Sequence, residues 1–469
     1  MTGAASHEVL GRLKTLLGPE GWSDDPDRLA PKLVEWRDRW HGTTPLLLLP
    51  KTTAEVSAIV GLCAEAGVAI TPQGGNTGLV GGQIPQGEIL LSTERMRAIR
   101  DIEVGDDVMI AEAGVILETA HQATLAVGRR FPLDLASGGS ATIGGLVSTN
   151  AGGTAVLRYG NMRDLVLGLE AVLPDGRIWN GLKRLRKDNT GYDLKQLLIG
   201  GEGTLGVVTA SALKLYPVLP SRAVAVVGLS SVAAAGRLLR AAKDSVGLEI
   251  EAFELMCRLG VGFAVKNLPG VRDPLASPSR WYILIEIASA EPGSAEASME
   301  RLLSQSVEAA LIEDAVVAQN EAQRRAFWAL REGQSAAQKA EGAAWKHDVS
   351  VPLSRIPDFI ETASLRLEAK FPGVRVDAFG HMGDGNIHFD VLAPAGGDQT
   401  AHSAARGAGA RLVHDLVVDM GGSISAEHGL GSMKTAEAAG YKSAVELDML
   451  RAVRSAIDPS RIMNPRVLF

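Results

Sequence analysis

Apolar side chains recur at helical spacing through residues 53–67, TAEVSAIVGLCAEAG, and the run ends on Gly67, which predicts a helix with a glycine stop. VAITPQGG then reads as a strand running into a loop, so a βα alternation begins there. GEILLST, DVMIAEAGV, VLGLEAVLPDGRIW and LGVVTASALKLYP read as further strands, with Asp175-Gly176 as a hairpin signal. Pro217 and Pro220 punctuate the chain. After them the pattern becomes strand RAVAVVGL, helix SVAAAGRLLRAAKD, strands LEIEAFELM and WYILIEIAS, and helix SAEASMERLLSQ. That order predicts a second, α+β domain whose helices cover one face of its sheet. From about residue 400 to 458 the pattern is mostly helical, before a compact tail, IDPSRIMNPRVLF. The expected class is α+β, with domains at 1–218, 219–415 and 416–469.

Composition narrows the class of function. With 469 residues, 46% hydrophobic and 22% charged, the chain is an ordinary globular protein of more than one domain. A formal charge of -7 and no basic stripe argue against a nucleic-acid partner, and the run Lys183–Lys187, interrupted by Leu185, reads as a solvated turn. Cys63 and Cys257 have no neighbour at metal or redox spacing, so a reducing compartment is expected, the cytoplasm in particular. The N-terminal MTGAASHEVLGRLKTLLG reads as a short amphipathic helix rather than a leader peptide, and no apolar run is long enough to span a membrane.

The 53 glycines are clustered. The loop from Pro72 to Gly82 holds five of them in eleven residues, more than a tight turn needs, and glycine lets backbone N–H groups approach a diphosphate closely. A second stretch, Ser137–Asn161, mixes glycine with Ser, Thr and Asn so densely that a packed apolar helix or strand is not expected there; it reads as a surface wrapped round a polar ligand. A third contains a literal GxGxxG at Gly201, Gly203 and Gly206. It opens a β-branched run rather than a helix, so a Rossmann site is excluded, and no GxxxxGK[ST] exists for a P-loop.

Together these three segments resemble the FAD-binding domain of the vanillyl-alcohol oxidase and p-cresol methylhydroxylase superfamily over roughly residues 45–217. The resemblance implies that Gly74, Gly75, Asn76, Thr77 and Gly78 hold the pyrophosphate, with Pro72 and Leu79 also at the cofactor. It implies that Ser140, Thr142, Gly144, Gly145, Asn150, Gly152, Tyr159 and Gly160 line the rest of the cofactor, that Glu202 and Val207 lie along it, and that Asn464 closes it from the tail. The first loop lacks the histidine that tethers flavin covalently in some relatives, so dissociable FAD is expected.

A second constellation suggests a metal. In FGHMGDGNIHFD, His381 and His388 flank an Asp-Gly-Asn turn between two strand-like runs and could converge. Neutral imidazoles suit zinc or a similar cation, and SAEHGLG, residues 425–431, can add the carboxylate of Glu427 for a His2Glu set with open positions. His121 and His402 read as satisfied structural residues, whereas the clustering of His347, His381, His388 and His428 beside glycine or charge is hard to explain by packing.

The motifs GHMGDGNIH and SAEHGLG, with Leu330-Arg331-Glu332 and Trp345-Lys346-His347-Asp348, resemble the D-2-hydroxyglutarate dehydrogenase branch of the superfamily across nearly the whole chain. This implies metal ligation by His381, His388 and Glu427, a general base in His428, and recognition of the distal carboxylate by Arg331, Ser335 and Lys346. Where relatives have asparagine this chain has Asp390, a carboxylate that would repel a substrate carboxylate. The implied activity is oxidation of an (R)-2-hydroxy acid with hydride transfer to flavin. An electron-transferring flavoprotein or a quinone is the expected acceptor, and a homodimer the expected assembly. A D-lactate, glycolate or D-malate dehydrogenase is the alternative within the superfamily. From other classes, a metal-dependent hydrolase leaves the glycine-rich segments without a role, and a non-catalytic nucleotide-binding module ignores the metal set.

Overall fold

The computed structural model describes residues 5–469 and divides into two compact units. One comprises the chain up to Gly153, Gly160–Val218 and Glu427–Phe469; the other comprises Thr154–Tyr159 and Leu219–Ala426.

The first unit opens with helix α1, His7–Leu17, whose N-cap Ser6 accepts from the amide of Val9. Its first sheet runs in the order β1 (Trp22–Ser23), β2 (Leu47–Leu48), β4 (Ile89–Ser92), β3 (Ile70–Gln73), with β2, β4 and β3 parallel. Helix α2, Thr53–Ala66, occupies the predicted span and stops where Gly67 takes φ 64°. Its buried side chains share a core with Ile70, Ile89, Leu91 and, from the far end of the chain, Ile462 and Met463. A second sheet is antiparallel, in the order β5 (Ile99–Glu103), β6 (Val108–Glu112), β10 (Val207–Lys214), β8 (Val166–Val172), β9 (Ile178–Gly181). Gly176, at φ 84°, turns β8 into β9 as the Asp-Gly pair predicts. Two residues of β7 (Arg129–Arg130) pair with β11 (Tyr216–Pro217). The basic run at 183–187 lies in an irregular, largely exposed segment.

One expectation for this unit fails. The second glycine-rich stretch contains a packed helix, α3, Ile143–Ser148, with Ile143, Leu146 and Val147 buried. Glycine makes it possible: a Cβ on Gly144 would lie 2.6 Å from the Cβ of Ala113, so its absence lets the helix settle onto the end of β6.

The second unit is built on seven antiparallel strands in the order β15 (Asp314–Val317), β12 (Ser221–Leu229), β14 (Trp281–Ser289), β13 (Ile250–Cys257), β17 (Arg375–His381), β18 (Asn386–Leu392), β16 (Ala344–Ser350). Helices cover both faces, not one. Ala225, Val227, Ile283, Ile285, Phe253 and Leu255 face a core with α4 (Val232–Ser245), α6 (Ser294–Glu308), α9 (Ile356–Lys370) and α10 (Arg406–Asp419). Their alternates Val224, Val226, Tyr282, Leu284 and Met256 face a second core with α5 (Arg258–Asn267), α7 (Glu321–Glu332) and α8 (Gln334–Ala337). Both parities are apolar, which is how a sheet buried on two sides reads. Helix α5 lies between β13 and β14, where the sequence pattern gave no helix. The final helix, α11, Ala444–Ile457, belongs to the first unit.

Candidate active site

In the first unit the glycine-rich segments meet each other. A Cβ on Gly74 would strike the hydroxyl of Thr142, and one on Gly75 would fall on the carbonyl oxygen of Ser140. The first and second segments therefore approach at a distance only glycine permits. Gly203, at φ 72°, stacks against Pro72 and joins the third segment to the first.

Four of the expected cofactor residues, Asn76, Asn150, Glu202 and Asn464, are non-glycine residues at φ 42° to 55°. Such conformations cost about 1 kcal/mol or more each and persist only where surroundings impose them. Their side chains are the imposing links. Asn76 donates to the carbonyls of Pro31 and Val34 and accepts from Gln83, and Asn150 accepts from the amide of Arg163. Asn464 donates to the carbonyls of Gly82 and Glu202 at 2.9 and 2.8 Å. Glu202 accepts from the amides of Leu430 and Gly431, both at 2.8 Å. Burial pushes the Glu202 carboxyl above its usual range, partly offset by those two amides.

Glu202 thus holds the loop after His428, while Gly431 lies against the carbonyl of Val80 and Ser432 donates to that of Gly81. The segment carrying the expected base is stitched to the first and third glycine-rich loops. Glu427 and His428 stand side by side, with Nε2 of His428 3.5 Å from a Glu427 oxygen.

The polar atoms left to a ligand fit a polar, extended cofactor: the buried Thr142 Oγ1, a donor or acceptor, and Asn464 Oδ1, an acceptor, have no protein partner, and the run 74–79 is half-buried. Gly145, Gly152 and Gly160 lie within the second segment, and a Cβ on Gly160 would strike Asp164. The side chains of two expected positions are held by protein contacts. Val207 packs in the core with Ile70 and Val172, so its side chain lines no surface. Tyr159 belongs to the second unit, where its hydroxyl donates to Glu251 at 3.1 Å. Gln73 and Gln83, which tie the first loop to Lys32 and Gly78, were missed because a glutamine beside glycine carries no distinctive pattern.

In the second unit the site is a polar field on the sheet face that carries Met256 and Leu284. Strand register fixes it: Glu254 opposes His381, Phe379 opposes His388, and His388 opposes Asp348. In the next row Asp377 opposes Asp390, which opposes Lys346. The rings of His381 and His388 are edge to face, with centroids 5.7 Å apart, so the hairpin brings the two imidazoles together. Nδ1 of His381 lies 2.9 Å from Glu254, and Nδ1 of His388 lies 3.8 Å from Asp348. Each Nδ1 has a carboxylate neighbour, hydrogen-bonded for His381 and at ion-pair distance for His388, the kind of partner that orients a histidine able to hold a metal. The amide of Ala426 donates to the carbonyl of Asp348, and Glu427 is the next residue in the chain.

His347 does not join this group. It lies between Trp345 and Val349 on the opposite parity, buried in the other core with Nδ1 3.3 Å from His414. His402 stacks on Trp345 and bonds the carbonyl of Val391, and His121 bonds that of Leu133, as structural histidines do.

Both expected substrate cations are paired. Arg331 is buried with Nη2 2.8 Å from Glu254. The Lys346 ammonium reaches Gln338 at 2.5 Å, Asp390 at 3.1 Å and Ser335 at 3.3 Å, which uses all three of its N–H donors. Asp377 accepts from Gln338, and burial with the adjacent Asp390 pushes it up to about 6 against the opposing pull of Gln338, Cys257 and Lys346. Glu254 is held below the usual carboxylate range: burial raises it, but His381 and Arg331 more than offset that.

Residues 219–468 match the family of FAD linked oxidases, C-terminal domain, and residues 44–181 match the FAD binding domain. The chain is 40% identical over 454 residues to a rice protein named for probable D-2-hydroxyglutarate dehydrogenase, which covers 96% of this chain and 80% of that one. It is 40% identical to the Bos taurus mitochondrial D-2-hydroxyglutarate dehydrogenase, over 94% of this chain and 80% of the relative. A Saccharomyces cerevisiae D-2-hydroxyglutarate–pyruvate transhydrogenase is 34% identical over 94% and 90%. Among solved structures, p-cresol methylhydroxylase shares the fold at TM-score 0.78 with 15% identity, over 99% of this chain and 97% of that one. Among the described residues no helix is long and apolar enough to cross a membrane. With the two family models matching in tandem, the chain belongs to the FAD linked oxidases, and it shares its fold with p-cresol methylhydroxylase.

Proposed function

We propose that the protein is an FAD- and metal-dependent dehydrogenase that oxidises D-2-hydroxyglutarate to the 2-oxo acid. The observation that carries this reading is the convergence of His381 and His388 on the sheet face that bears Lys346 and against which Arg331 of α7 is set. The names of the relatives support the substrate. FAD, held without a covalent link, supplies the hydride acceptor. His381, His388 and Glu427 would hold zinc or a similar divalent cation, whose Lewis acidity eases loss of the hydroxyl proton. His428 accepts that proton, on a loop that Glu202 keeps in register. Arg331, Ser335 and Lys346 orient the far carboxylate, with Asp390 tuning Lys346.

One observation favours a second reading. Because the Lys346 donors are all engaged and Asp390 balances its charge, a monocarboxylate such as D-lactate gives up less on binding here than it would beside an unpaired lysine. The cysteines, both buried and free of disulfide, support a reducing compartment such as the cytoplasm; the curated relatives are described as mitochondrial. Electrons would then pass to a flavoprotein or a quinone.

The test is an absorbance spectrum of the purified protein before and after anaerobic addition of D-2-hydroxyglutarate, with D-lactate and D-malate in parallel. Flavin bands bleached fastest by D-2-hydroxyglutarate are expected. Bands bleached only by D-lactate would move the assignment to the second reading, and bands that no acid bleaches would overturn both.

A further inference from the structure

Glu254 lies in the middle of β13, 1% exposed, in a strand whose sequence, IEAFELMC, carries no functional signal. Its two oxygens serve two different side chains. Oε1 is 2.9 Å from Nδ1 of His381, while Oε2 accepts from Nε of Arg331 at 2.9 Å and is ion-paired with Nη2 at 2.8 Å. An ionised carboxylate accepts and cannot donate, so the hydrogen of a neutral His381 sits on Nδ1 and its lone pair on Nε2. The guanidinium is pinned by the same group, and its carbon lies 5.2 Å from the centre of the Phe379 ring. A single buried carboxylate therefore fixes the tautomer of one expected metal ligand and the position of one expected substrate cation.

We propose that Glu254 is a positioning residue that presents Nε2 of His381 to the metal and, through its other oxygen, sets Arg331, so that the metal site and the far-carboxylate site are built as one unit. This rests on the metal-dependent reading above. The competing account is that Glu254 only balances the buried charge of Arg331. The two accounts part when both charges are removed together, an exchange that folded cores tolerate when the replacements are apolar and of similar size.

The experiment measures Zn2+ affinity by calorimetry on the full-length, flavin-loaded protein after chelation, for wild type, Glu254→Gln, Glu254→Leu/Arg331→Leu and His388→Ala. Both Glu254 variants are expected to bind Zn2+ 10- to 100-fold more weakly than wild type, in the range seen when a metal ligand loses its carboxylate partner, with the FAD-to-protein ratio unchanged. If the double variant recovers wild-type affinity, Glu254 serves only to balance Arg331 and the proposal is overturned. Wild-type affinity in Glu254→Gln would overturn it too, leaving the metal reading intact. If wild type and His388→Ala bind Zn2+ equally poorly, the metal reading falls and takes this proposal with it. Should Glu254→Gln fail to fold, the double variant, which leaves no unpaired charge, decides alone.

Discussion

The two units build their sites from opposite materials. In the first, glycines and four strained residues shape the backbone, and the polar side chains of Asn76, Asn150, Glu202 and Asn464 are spent on holding loops to one another. In the second, the backbone is regular antiparallel sheet, and function lies in charged side chains that strand register sets opposite each other. Where two backbone segments of the cradle touch, as at Gly74 and Gly75, there is no room for an added atom. A field of side chains keeps its frame when one charge is removed, so the second unit should lose chemistry without losing fold.

The sharpest test of that contrast is His388→Ala, which should lower turnover of D-2-hydroxyglutarate by about 10³-fold, equivalent to about 4 kcal/mol, while the flavin spectrum of the purified protein stays as in wild type. Loss of flavin in this variant would break the division of labour. The converse test is Gly75→Ala. The new methyl group cannot coexist with the Ser140 carbonyl, and the strain, about 3 kcal/mol, should appear as a lowered melting temperature and a reduced FAD-to-protein ratio. Gly139→Ala, with open space around the added atom, serves as the control and should match wild type.

A third test uses pH. Burial raises Asp377 to about 6, so the folded protein binds that proton more tightly than the unfolded chain does. The stability this confers is complete below the unfolded value near 4 and is lost as pH rises through about 6, an effect of order 3 kcal/mol. Thermal melts across that window should show a downward slope in wild type that Asp377→Asn flattens. The smallest effect is expected for Lys346→Met. Because Asp390 already neutralises this lysine, KM for D-2-hydroxyglutarate should rise only about 10-fold, about 1.4 kcal/mol, with kcat for D-lactate unchanged.

Much of this was legible in the chain because it depends on local order. Helix α2 ends where Gly67 can turn left-handed, Asp175-Gly176 makes its hairpin, and the GxGxxG at 201–206 leads into a strand, as its β-branched neighbours require. The His381–His388 hairpin was equally visible, since its turn residues lie between the two imidazoles. Other features were not. The strands 221–229 and 281–289 are apolar on both parities through most of their length, without a polar alternation to mark a solvent face, so the helices on both faces of the sheet were not visible in the pattern. His347 was grouped with the other histidines because it stands beside charge, and the alternation of a strand sends it to the other side.

The sequence by itself determined where the backbone can bend and which ligand types are present, because turns, caps and glycine conformations depend on neighbours along the chain. Only the tertiary structure decided what those ligands face. Glu254 meets His381 across 127 residues of chain and Glu202 meets Leu430 across 228, and pairings at that separation are set by sheet order and packing, which leave no periodic trace in the sequence.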